Sequence, residues 1–161
     1  MSQRLQCPFV DTDTLIEQRI GCSIREYFER EGETSFRDLE QAVIAELAQS
    51  PSGVLATGGG SVLREANRHQ LRRAFHVIYL RSSPEDLFRR LRHDVKRPLL
   101  QVQDPLGRLR DLHAVRDPLY RETAHDIVDT GRPTVAMLVN LIVMQLELAG
   151  IAVPPATDLP G

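Results

Sequence analysis

The chain has 161 residues, 42% of them hydrophobic and 26% charged, with a formal net charge of −2. That size and apolar fraction suit one soluble globular domain with a real core, and the near balance of charge excludes nonspecific nucleic-acid binding. No apolar run approaches the ~20 residues of a membrane span, and the first residues lack the layout of a signal peptide, so the expected compartment is the cytoplasm.

In chain order, Ser2 to Gln6 reads as the last turn of a helix that leads straight into a strand, Pro8 to Asp11. Ser23 with Glu26 forms a capping box ahead of a helical run from Ile24. Phe36, Leu39, Val43, Ile44 and Leu47 then recur at one-face helical spacing. Gly53 to Thr57, His76 to Arg81 and Asp126 to Asp129 are further strands, bounded by turn residues. Pro84 sits at the first helical position of a segment carrying Leu87, Phe88 and Leu91. Leu109, Leu112 and Val115 outline another helix, and Val135 to Leu148 is apolar nearly all round, as a buried helix would be. Residues 1–150 are therefore expected to form one domain. The remainder, 151–161, has three prolines and no periodicity, and is expected to be a disordered tail.

Strands alternating with helices predict a three-layer α/β fold with a doubly wound, mainly parallel sheet, in which ligands gather at the carboxyl ends of the strands. The unusual residues fall at those ends: Asp11 and Asp13 after the first strand, Gly58, Gly59 and Gly60 after the second. A glycine turn after a strand invites comparison with a phosphate loop, but that loop needs a lysine and a Ser/Thr directly behind the glycines. Ser61-Val62-Leu63 follows instead, and Lys96 is the chain's only lysine. Three adjacent glycines each carry an entropy penalty, so something must approach this backbone too closely for a Cβ, or the turn must forbid one. Asp11 and Asp13 allow two uses, capping of the following helix or acceptance of hydrogen bonds from a ligand. Cys7 and Cys22 form no C-x-x-C pair and the five histidines are scattered, so neither a disulfide framework nor a zinc site is expected.

Five short motifs occur together: Phe9-Val10-Asp11-Thr12-Asp13, Phe36-Arg37-Asp38-Leu39-Glu40, Gly58-Gly59-Gly60, Arg97-Pro98-Leu99-Leu100 and Arg116-Asp117-Pro118-Leu119-Tyr120. In order and separation the set resembles the shikimate kinase family, with a nucleoside-monophosphate-kinase-like fold, over nearly everything up to Gly150. The resemblance implies transfer of the γ-phosphoryl group of ATP to the 3-hydroxyl of shikimate, with Mg2+, in aromatic amino-acid biosynthesis. Asp13 would orient or deprotonate the attacking hydroxyl, and Asp11 would face the metal through a water. Arg37 and Arg116 would hold the shikimate carboxylate, for which a planar guanidinium fork is suited. Gly58 to Gly60 would let main-chain amides touch the ring, with Gly59 nearest. Arg97 would close over the phosphates from a lid spanning about 94–105, and Arg132 would stack on the adenine. A single copy of the chain with shikimate as its partner is expected.

This sequence departs from that family in one respect: the first, central strand and the phosphate loop with its lysine are not in it. The resulting expectation is a chain that folds poorly and has negligible kinase activity. Two alternatives stand beside the kinase: a noncatalytic shikimate-binding relative, and another small-molecule kinase such as a gluconate kinase.

Overall fold

A computed structural model describes residues 1–91, 103–131 and 134–154. Four strands form two parallel pairs. β1 (Phe9–Asp11) runs beside β2 (Val54–Ala56), with Phe9 opposite Val54, and β3 (Ile78–Arg81) runs beside β4 (Asp126–Asp129), with Ile78 opposite Asp126. Parallel partners need long crossovers, and each pair is bridged by helices. The observed strands sit inside the expected ranges, trimmed at their ends. Among the described residues no ladder joins β2 to β3.

The helices begin and end on local chemistry. α1 (Ser2–Leu5) is one turn, closed by Gln6 in the left-handed region. α2 (Thr12–Ile20) is capped by Asp11 and stopped by Gly21 at φ 71°. α3 (Ile24–Gln49) starts where the Ser23 side chain accepts from the Glu26 N–H, and Gly32, at φ 85° and ψ 171°, breaks it into two helical stretches. A 3-10 turn (Ser61–Leu63) and α4 (Glu65–Ala74) precede β3. The α4 segment offered no sequence stripe, because Leu71 is its one buried apolar side chain. α5 (Pro84–Leu91) opens on Pro84, with Ser83 Oγ accepting from the Asp86 N–H. α6 (Pro105–Thr123) is capped by Asp104 and carries Pro118 inside. Apart from residues 103–105, the expected lid lies outside the described residues.

The predicted stripe of α3 forms the main core. Phe36 and Val43 are buried against Ile16 of α2, with Leu39 and Leu47 packed around them. A second cluster joins Val128 of β4 to Ile142 and Leu146 of α7 (Val135–Leu148), with Leu5 and Val153 alongside. α7 is not the fully buried helix its composition predicted. Ile142, Val143 and Leu146 face inward, while Val135 and Leu148 are each 78% exposed, because β4 covers only one side of it. The expected tail also needs correction at its start. Gly150 at φ 79° ends α7, the Ile151 N–H bonds back to the Leu146 carbonyl, and Val153 returns to the core.

Candidate active site

The exit of β1 assigns the two aspartates different work. Asp11 Oδ1 accepts from the N–H groups of Asp13 (2.9 Å) and Thr14 (3.4 Å), so Asp11 is the helix cap. Asp13 is thereby left in the first turn of α2 with a half-buried carboxylate. Burial, above all, raises its pKa from the ordinary 3.8, with Asp11, Glu40 and Glu17 adding to the rise and Arg37 opposing it. Thr12, fully buried, accepts from the Gly58 N–H at 3.4 Å and ties this exit to the glycine turn.

Arg37 emerges from α3 at the edge of the apolar face, as the stripe predicts. Its guanidinium is packed over the Phe36 ring at 5.2 Å and bonds Glu40 Oε1 at 3.0 Å, with Glu33 3.6 Å away. Glu40 is 1% exposed, and its other oxygen accepts from Ser61 Oγ at 3.3 Å. A buried carboxylate needs such partners on both sides. Sequence reasoning gave Glu40 no role, although a signal was present: it takes the i+4 place after Phe36 on an otherwise apolar stripe.

The three glycines each face a different side chain of the site. A Cβ on Gly58 would lie 2.8 Å from Asp13 Oδ1, and one on Gly59 would lie 3.1 Å from the Tyr120 hydroxyl and 3.2 Å from Arg116 Nη1. A Cβ on Gly60 would fall inside the Arg37 guanidinium. None of the three has a positive φ, so the turn itself does not demand glycine. Close approach is the reason, and what approaches is the protein's own side chains, where the sequence had pointed to ligand or turn. Ser61 and Leu63 donate to the carbonyls of Gly58 and Gly60, both at 3.1 Å, and close the turn behind them.

Asp13, Arg37, the glycines and Arg116 of α6 thus surround one cavity of about 180 Å3, walled on its apolar side by Ile24, Phe28 and Phe36. At roughly 30 Å3 per water this is space for about six waters, enough for one small ring. A larger hollow of about 490 Å3, between α3 and α4, is lined by Ala45, Gln49, Gln70 and Arg73 and contains no expected site residue. Arg97 and Arg132 lie outside the described residues.

Among the described residues neither a phosphate cradle nor a set of metal ligands is found. The glycine turn is filled by Asp13, Arg116 and Arg37 and leaves no phosphate cradle. Asp11 spends one oxygen on its cap, and no group of three or more metal-ligating side chains is found among the described residues.

Residues 1–147 match the family model described as shikimate kinase. The chain is 55% identical over 160 residues to a shikimate kinase of Ralstonia nicotianae, covering 99% of this chain and 84% of that protein. It is 57% identical over 157 residues to one from Paracidovorax citrulli, covering 96% and 86%. Its fold is similar to that of a shikimate kinase from Acinetobacter baumannii solved in complex with shikimate, with a TM-score of 0.83 and 39% identity over 92% of this chain and 85% of that one. Nothing in these likenesses speaks for the expected inactivity. The order of motifs, the α/β fold and the match over nearly the whole length agree: the chain belongs to the shikimate kinase family.

Proposed function

We propose that this chain phosphorylates the 3-hydroxyl of shikimate at the expense of ATP with Mg2+, as a step of aromatic amino-acid biosynthesis. One observation carries the substrate half: a small cavity with two guanidiniums, Arg37 and Arg116, and one proton-accepting carboxylate, Asp13. Two arginines call for a carboxylate, which the guanidinium fork pairs two to two. The raised pKa of Asp13 calls for hydroxyl donors, and makes it a better proton acceptor than an ordinary aspartate. Phe28, Phe36 and Ile24 supply an apolar wall for a ring face. A cyclic hydroxy acid of shikimate's size meets all three demands. Gluconate, a linear acid, has no ring to lay against that wall.

ATP, when bound, would supply the phosphoryl group, and Mg2+ would neutralise its phosphates. The described residues hold, orient and accept a proton from the sugar-like acid. Titration calorimetry tests the substrate half: saturable heat with shikimate and none with gluconate is expected. The absence of heat with shikimate would end the proposal.

A further inference from the structure

Arg37 and Arg116 are held in opposite ways. Arg37 leans on the buried carboxylate of Glu40, which offsets its charge before any ligand arrives. Arg116 forms no ion pair among the described residues, and its Nε is buried without a partner. What stands beside it is a neutral group. Tyr120 follows one turn later on α6, and its hydroxyl and Arg116 Nη1 crowd the same side of Gly59, 3.1 and 3.2 Å from where a Cβ there would stand. The same hydroxyl donates to the Gly59 carbonyl at 2.5 Å. The tyrosine ring is backed by Tyr79 of β3, with centroids 4.9 Å apart, and Tyr79 in turn donates to Asp117 Oδ1 at 2.8 Å.

The chemistry of a phenol suits this place. A carboxylate beside Arg116 would compete with an incoming carboxylate for the same donors, whereas a hydroxyl directs the guanidinium and leaves its charge intact. The hydroxyl also stays protonated: burial raises its pKa above the ordinary 10, and the nearby Arg116 and Arg37 only partly offset this. Its single proton goes to the Gly59 carbonyl, so one oxygen lies between the arginine and the middle of the glycine turn.

We propose that Tyr120 is a positioning residue of the substrate site, a neutral latch whose hydroxyl aims Arg116 at the substrate carboxylate and pins the glycine turn through the Gly59 carbonyl. This rests on the cavity being the shikimate site. Tyr120→Phe keeps the ring packed on Tyr79 and removes only the oxygen. In calorimetry the variant binds shikimate about tenfold more weakly, the share of a hydrogen bond to a charged group, while its melting temperature stays close to the wild type. Tyr79→Phe, which deletes a hydroxyl one layer behind, leaves the affinity unchanged. Without ligand, amide hydrogen exchange at Ser61 and Leu63, whose N–H groups close the turn, is faster in Tyr120→Phe. Unchanged affinity in a protein that binds shikimate, or unchanged exchange at those two amides, overturns the proposal. If the wild type takes up no shikimate, the assignment of substrate fails, and exchange at Ser61 and Leu63 alone decides for or against the latch.

Discussion

At the scale of single residues, the pair Asp11 and Asp13 shows what a sequence leaves open. Two carboxylates two positions apart at a strand exit permit either one to cap, and only the backbone path decides that Asp11 does. Asp13 is then the strained member, with a pKa raised chiefly by burial and then by neighbouring carboxylates. A carboxyl whose folded value lies above its unfolded one favours the native state at low pH, and that contribution is lost as pH rises through the folded value. At neutral pH Asp13 therefore costs stability, the usual trade of a functional group. Asp13→Asn is expected to melt higher than the wild type at about pH 7, with the gap closing toward about pH 4, and to lose shikimate binding. Melts at both values and calorimetry check this; a lower melting point at neutral pH would mean that Asp13 is well satisfied where it stands.

Among the elements, the glycine turn was conspicuous in the sequence, but its reason was not. Its partners come from α2, α3 and α6, far apart in the chain, so no local pattern could reveal which side chains it makes room for. Gly53 is a different case: at φ 72° it needs the left-handed region, and a Cβ there would strike the Pro8 carbonyl. Gly53→Ala should thus cost at least about 1–2 kcal/mol of stability and leave shikimate affinity alone. Gly60→Ala should lower shikimate affinity as well as stability, since the far end of Arg37 can move aside only by leaving the buried Glu40 and the position that meets a carboxylate. Thermal melts and binding isotherms on the two variants separate these outcomes. The stripe of α3 was legible because it is buried as written, Phe36, Val43 and Ile44 all within the core. α7 misled because composition reports how apolar a helix is and says nothing of how many neighbours are there to cover it. α4 went unseen for the opposite reason, having a single buried apolar side chain.

For the whole molecule, the sequence showed the class of fold, and the residues it singled out at the strand ends line one cavity. Thr12, Glu40, Ser61 and Tyr120 escaped it, because each acts through a neighbour and has a commonplace identity that only contact makes meaningful. Those supports also set the electrical character of the cavity. Arg37 is matched by Glu40, and the other charged groups lining the pocket are one guanidinium, Arg116, and one carboxyl group, Asp13, so the described charges there come close to balance within a molecule whose own formal charge is only −2. Long-range attraction for an acid is correspondingly feeble, and recognition happens only at contact, where Debye screening hardly reaches. Isotherms taken from low ionic strength to about 0.5 M salt should nearly superimpose, and a steep loss of affinity would show that the pocket gathers its ligand by field. Glu40 thus makes the enzyme indifferent to the ionic weather of its surroundings.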